Sequence, residues 1–111
     1  MKKIIVFATA ILALAACKQE NNDMLKEKVE SYAVVEVTSP LYDALSENDK
    51  KIVGLFRQAA EIMDGLFWKQ TFGDKSEMEA LTDEYAKAYA MINYGPWDHL
   101  DNNAPFIEGY G

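Results

Sequence analysis

The sequence has one histidine, His99, and one cysteine, Cys17, among 111 residues. A single cysteine cannot form a disulfide within the chain, and one histidine would leave a three-ligand zinc site dependent on carboxylates. There is also no Gly-x-Ser-x-Gly run, the setting in which many hydrolases hold a nucleophilic serine. We therefore expect no catalytic, cofactor-binding or metal-binding residue in this chain.

Basic residues are scarce as well. The chain has 11 Lys and Arg against 18 Asp and Glu, which gives a formal net charge of -7. Proteins that bind nucleic acid need clustered positive charge to displace counterions from phosphates, so we expect no nucleic-acid partner. The aromatic content of 12% is too high for a disordered tail and predicts a folded domain.

The start of the chain has the pattern of an export signal. Lys2 and Lys3 supply the positive charge, and residues 4–16 form an apolar segment that is too short to span a bilayer. Small residues, Ala15 and Ala16, stand at its end. The pattern predicts a signal peptide at residues 1–16.

Cys17 stands directly behind this segment, an order that is similar to the bacterial lipobox. On that interpretation Cys17 is a lipid attachment site, and the lipid anchors the protein to a membrane of the bacterial cell envelope, facing the periplasm or the cell surface. The alternative is an ordinary secretory signal followed by an unrelated cysteine. The polar run after Cys17 predicts a flexible tether over residues 17–31, with a short helix from Met24 to Ser31 as an option.

The clearest element is an amphipathic helix of about 24 residues. Ser46 and Asp49 have the spacing of a capping box at its start, and Gly73 marks its end. The residues recurring at three and four are Ile52, Leu55, Phe56, Ala59, Met63, Leu66 and Phe67. Further apolar residues widen this stripe beyond half of the helix, which predicts packing neighbours on several sides.

The rest of residues 32–111 predicts a second helix, an extended arm and a loop tail. The second helix begins at Ser76 and ends at Gly95-Pro96. Residues 32–38 have β propensity and predict a short strand or an extended arm, while the tail after Pro96 packs by aromatic anchors. The expected fold class is mainly α, with a core too small to be complete.

Two polar features have structural interpretations. His99 follows Asp98, and we expect a loop histidine hydrogen-bonded to Asp98 or to the backbone. A group of carboxylates at helical spacing predicts a solvated face near a helix start rather than paired acid and base. Its members are Glu77, Glu79, Asp83 and Glu84.

Three stretches have a joint resemblance to a known family. They are residues 45–51 (LSENDKK), 59–70 (AAEIMDGLFWKQ) and 92–100 (INYGPWDHL). In this order, behind the predicted signal, they resemble the start of bacterial dipeptidyl-peptidase III-like proteins, a family of zinc metallopeptidases. The resemblance implies a two-lobed, largely helical hydrolase that releases dipeptides from the amino ends of peptides, with zinc expected in a full-length member.

The His-Glu-x-x-Gly-His zinc motif of that family is absent from this sequence. The resemblance therefore implies an N-terminal fragment of a membrane-anchored peptidase, whose partner is the remainder of the larger fold. The alternative hypothesis is a self-contained small lipoprotein, a binding or scaffolding module that docks on another envelope protein.

Overall fold

In a computed structural model of the protein, the backbone is described for residues 2–111 and the side chains for residues 15–111. Most of the described residues are helical and few are in strands, so the expected mainly α fold is confirmed. The elements of the described part are α1 (Lys2–Glu30), α2 (Pro40–Asp43), α3 (Glu47–Thr71), α4 (Lys75–Glu79), α5 (Glu84–Asn93), β1 (Trp97–Asp98) and β2 (Ala104–Pro105).

Helix α1 continues through the segment for which the sequence suggested a flexible tether. Residues 18–23 contain neither Gly nor Pro, so nothing in this run interrupts a helix. Further along α1, Leu25 is fully buried and fixes the helix against the rest of the protein. The expected signal peptide includes Met1, which lies outside the described residues, as do the side chains of residues 1–14.

The core lies between the second half of α1, α5 and the C-terminal tail. Its buried apolar residues are Leu25, Trp68, Met78, Ala86, Tyr89, Ala90 and Phe106. Tyr89 is central: its ring lies 4.8 Å from that of Phe106 and 6.5 Å from that of Tyr32, measured between centroids. The small side chains of Ala86 and Ala90 let α1 approach α5 closely.

Helix α3 confirms the strongest prediction from the sequence. Ser46 is its N-cap, and the Ser46 hydroxyl accepts a hydrogen bond from the Asp49 amide at 3.1 Å. At the other end, Gly73 has a φ of 126° and donates its N–H to the Trp68 carbonyl oxygen. Only the last part of α3 packs on the core, because every residue from 51 to 63 is exposed.

The second predicted helix is two helices, so that expectation is wrong between residues 80 and 83. Asp74, not Ser76, caps α4, and Asp83 caps α5 by accepting hydrogen bonds from the Tyr85 and Ala86 amides. A short polar side chain that bonds nearby backbone amides starts a new helix instead of continuing the old one. Met78 and Tyr89 still face the core from the two pieces.

Residues 33–39 form no helix or strand, so the strand option for this arm is wrong. Val34, Val35 and Val37 are exposed, and no neighbouring strand supplies the ladder of hydrogen bonds that a strand needs. Within residues 2–111 the strand pair is β1 with β2, antiparallel, with Trp97 opposite Pro105.

Candidate functional site

Cys17 lies on an exposed part of α1. Its neighbours Lys18 and Asn21 line a surface cleft together with Glu108 from the tail. Among the residues that the structure describes, no helix is both long and apolar enough to cross a membrane. The lipid attachment expected at Cys17 stays a prediction, and the thiol is accessible for it.

The most polar feature of the core is an ion pair between α1 and the tail. The Lys28 ammonium donates to Asp98 Oδ2, and the Leu100 amide donates to Asp98 Oδ1 at 2.9 Å. The Lys28 nitrogen also lies 5.6 Å from the centre of the Tyr89 ring, within cation–π range. The Asp98 side chain is 4% exposed, so this carboxylate depends on its partners for the solvation that it has lost.

The two partners shift each other's proton affinity. Burial acts to raise the pKa of Asp98, but hydrogen bonds from Lys28, the Leu100 amide and Tyr89 outweigh it and hold that pKa below its ordinary value. The hydrogen bond to Asp98 raises the pKa of Lys28. Both shifts favour the charged forms, so the pair is a structural ion pair and offers neither a general base nor a neutral amine.

A cleft of about 330 Å³ opens beside this pair. Lys28 and Asp98 line one side of it, and Asp101, Glu108 and Tyr110 line the other parts. The cationic group in the cleft is already bonded to Asp98, which leaves acidic and neutral groups to face a ligand. The cleft therefore lacks an obvious group for binding an anion.

The residues around His99 form an ordered turn. His99 Nε2 donates to the Asn93 carbonyl oxygen at 2.7 Å, and His99 Nδ1 lies 2.7 Å from Asn103 Oδ1. The His99 amide donates to Asn93 Oδ1, and Asn93 Nδ2 donates to the Tyr89 carbonyl oxygen. The predicted loop histidine bonded to backbone is confirmed, whereas its expected bond to Asp98 is not formed.

Of the four carboxylates of the predicted solvated face, Glu84 is exposed at the start of α5, and the other three have separate structural roles. Asp83 caps α5 and also accepts a 2.6 Å bond from Asn22 of α1. Hydrogen bonding from the Ala86 amide is the main reason that the pKa of Asp83 is lowered. Glu79 pairs with Lys75, and Glu77 accepts from Tyr110 at 3.3 Å. They do not converge on one point.

Metal ligands do not gather in the part of the chain that is described. No group of three or more His, Cys, Asp or Glu side chains comes close enough there to hold a metal ion. The same region contains no buried side-chain polar atom without a hydrogen-bond partner. Each buried polar side-chain atom in this region therefore has a hydrogen-bond partner within the protein.

Tyr94 joins the C-terminal end of α3 to the end of α5. The Tyr94 ring packs against Phe67 and Trp68, with centroid distances of 4.7 and 5.0 Å, and its hydroxyl donates to Asp64 Oδ1 at 2.5 Å. That bond raises the pKa of Tyr94. Tyr94 has a φ of 55°, a left-handed conformation that is uncommon for a residue with a side chain and that ends α5.

Beyond this joint, α3 presents an exposed apolar face, which we call the α3 stripe. At 100° per residue its members cover about half of the helix circumference. They are Ile52, Val53, Leu55, Phe56, Ile62, Met63, Leu66 and Phe67. The periodicity of the sequence predicts this stripe. Its side chains are at least 42% exposed, and Phe67, at its end, contacts Tyr94.

Sequence reasoning missed the contribution of α1 to the core. Leu25 and Lys28 lie in a segment without clear apolar periodicity, and the partner of Lys28 is 70 residues further along the chain. The available signal was the pair Leu25 and Val29, spaced to share one face of a helix. Two apolar residues among many polar ones are a weak signal by themselves.

Comparisons with known proteins find a relative. The chain is similar to Nudix hydrolase 3 of Arabidopsis thaliana, with 32% identity over 92 residues that cover 75% of this chain. The chain spans only 12% of the length of that relative. No family model and no solved structure matches the chain.

The comparison also locates part of the similarity. The matched part of this chain is about 83 residues long, since it covers 75% of 111 residues. If it is continuous, it includes residues 29–83 whether it lies at the start, the middle or the end of the chain. All of α3 therefore belongs to the part that resembles the relative. The α3 stripe of this chain therefore lies within the matched region.

This finding corrects the family expected from the sequence. The relative is named a Nudix hydrolase, and nothing in the comparison points to dipeptidyl-peptidase III, so that assignment is wrong, together with the peptidase activity and the zinc that it implied. Nothing in the comparison supports the alternative of a self-contained scaffolding lipoprotein either. The misleading stretches are a helix start, an apolar helix and a turn, whose residues are dictated by local structure and so identify a family poorly.

Proposed function

We propose that this chain forms a helical structural segment of a hydrolase related to Nudix hydrolase 3. The observation that carries the proposal is the identity of 32% over 92 residues, which includes α3. Because the chain spans 12% of the relative, the segment would belong to a larger fold. The reacting groups of that hydrolase would then lie outside the residues described here.

The roles of the polar side chains support a structural segment. Asp83 is used as a helix cap, Asp98 in an ion pair and His99 in a turn. Catalysis by a general base or nucleophile needs a group within hydrogen-bond reach of a substrate and a partner that activates it. Each of these three side chains instead forms hydrogen bonds or an ion pair within the protein.

The proposal is tested by exchanging segments. Residues of this chain that match Nudix hydrolase 3 replace the corresponding residues of that enzyme, and the hydrolase activity of the chimera is compared with that of the parent. If the segments have the same structural role, the chimera keeps a kcat within about tenfold of the parent, a change of about 1.4 kcal/mol in the activation free energy.

The control for the exchange is a chimera carrying the same residues in shuffled order, which should lose activity. A folded but inactive chimera would contradict the shared role. Activity in the shuffled chimera would show that the parent does not depend on this segment, and would also contradict the proposal.

We propose separately that a lipid on Cys17 attaches the protein to a membrane of the cell envelope. Support comes from the small residues Ala15 and Ala16 before an exposed cysteine. Replacing Cys17→Ser should move the protein from the membrane fraction to the aqueous fraction, or leave it unprocessed, because acyl chains would be its strong membrane attachment. Lys18→Ser is the matched control and should stay with the membrane. A Cys17→Ser protein that is processed and remains membrane-bound would contradict the proposal.

A further inference from the structure

We infer that the α3 stripe is a docking surface for the body of the hydrolase, meaning the part that corresponds to the unmatched residues of the relative. This inference rests on the proposed function and names the surface through which the segment joins the rest. The exposed fractions along the stripe reach 71% at Phe56 and 68% at Ile62. Large apolar side chains in such numbers on one face mark an interaction site.

The size of the stripe fits a protein partner. With typical side-chain areas, its exposed surface is on the order of 800 Å², about what one protein contributes to a standard interface. A small ligand would cover only a fraction of it. The concavity of about 320 Å³ on this face, lined by Ile52, Leu55, Phe56 and Ala59, is open to solvent and would not enclose one. An apolar groove or helix pair on another polypeptide can cover it fully.

The charge on α3 favours a protein partner over a membrane surface. Helices that lie on membranes carry an excess of Lys and Arg on the polar face. In α3 the charges balance, because four basic residues stand against four acidic ones: Lys50, Lys51, Arg57 and Lys69 against Glu47, Asp49, Glu61 and Asp64. Balanced charge gives no attraction to anionic lipid.

The relative indicates which protein covers the stripe. Helix α3 lies within the matched span, and the relative has about seven times as many residues outside the match as inside it, since the match is 12% of its length. In such a protein, a long apolar helix face is expected to be buried against the remainder of the fold. The contact with Tyr94 fixes only the end of α3, at Asp64 and Phe67, and leaves the rest of the stripe accessible.

The test uses a photo-crosslinking amino acid, benzoylphenylalanine, in place of Phe56 in the chimera described above. We expect Phe56 to crosslink within the same molecule to residues of the relative outside its matched segment, identified by mass spectrometry. Benzoylphenylalanine in place of Gln58, which is also exposed but lies off the stripe, is the control and should give at least fivefold less of this product. Hydrolase activity is measured on the same samples.

Each outcome bears on the inference. A crosslink from Phe56 to a second copy, a crosslink to lipid in vesicles of anionic phospholipid, or no crosslink in a folded chimera would overturn it. Activity reports on the proposed function alone: an active chimera without the Phe56 crosslink overturns only the docking surface, whereas an inactive chimera with the crosslink overturns only the shared role in the hydrolase.

If the chimera aggregates, the whole chain carrying either probe is mixed with the relative that lacks its matched segment. A Phe56 crosslink to that protein, at least fivefold above the Gln58 control, supports the inference. Absence of this product overturns it.

Discussion

Leu25 and Leu55 are the same residue type, each in a long helix, and their surroundings are opposite. Leu25 is fully buried between α1 and α5, although the sequence around it is polar. Leu55 is 63% exposed on α3, in the most regular apolar pattern of the chain. The comparison shows that apolar periodicity predicts which face of a helix will be buried, but not whether this chain supplies the partner.

The largest expected effect is the loss of stability when the buried leucine is shortened. Leu25→Ala should lower the free energy of unfolding of the isolated chain by about 3 kcal/mol, because it leaves a cavity in the core. Leu55→Ala makes the same chemical change on the α3 stripe and should cost less than about 0.5 kcal/mol. Urea unfolding followed by circular dichroism measures both. Equal losses would mean that the two sites are buried alike in solution.

A smaller effect concerns the ion pair that holds α1 to the tail. Asp98→Asn should reduce the free energy of unfolding by about 2 kcal/mol, because it leaves Lys28 beside a neutral group. This figure is below that of a fully buried pair, since the Lys28 side chain is partly exposed. Asp101→Asn is the exposed control and should have little effect. A loss of the same size in Asp101→Asn would contradict the assignment of the pair.

The same pair predicts a dependence on pH. The pKa of Asp98 is lowered in the folded state, so its contribution is present above the unfolded value of about 3.9 and is lost as the pH falls through the lower folded value. Between pH 6 and pH 3 the wild type should therefore lose more stability than Asp98→Asn. Parallel acid profiles of the two proteins would contradict this coupling.

The smallest expected effect lies at the joint between α3 and α5. Tyr94→Phe keeps the ring against Phe67 and Trp68 but removes the hydrogen bond to Asp64, which should cost about 1 kcal/mol. Tyr42→Phe, on the exposed helix α2, is the control and should cost less. Thermal melting and amide hydrogen exchange at the end of α3 measure the difference. An unchanged exchange rate there would show that ring packing alone fixes the joint.

Local signals predicted the ends of α3 well. Ser46 and Gly73 act within one turn of their own helix, by a cap bond and by a left-handed backbone, so neighbouring residues suffice to recognise them. Asp83 is an equally local cap, but its spacing to the neighbouring glutamates also fits a solvated helix face, which is the interpretation made from the sequence. The break between α4 and α5 was therefore missed although its signal was present.

The candidate site could be predicted only in part. The sequence around His99 predicts a turn with a hydrogen bond to the backbone, and the structure confirms it. The lipid attachment at Cys17 stays a prediction. The ion pair between Lys28 and Asp98 could not be predicted from the sequence, because no local pattern around Lys28 indicates a partner 70 residues away. The family expected from three short stretches is wrong, because residues that serve local structure recur in unrelated proteins.

Residues that are close together in the sequence dictate that the chain is mainly helical, where α3 begins and ends, and that α3 has one apolar half. These properties depend on side chains within a few residues of one another, whose interactions follow from helix geometry. The packing of distant segments dictates that α1 completes the core through Leu25 and that the side chains described for residues 15–111 leave most of the α3 stripe exposed. Burial depends on which distant segments meet, and that follows from the packing of the whole chain.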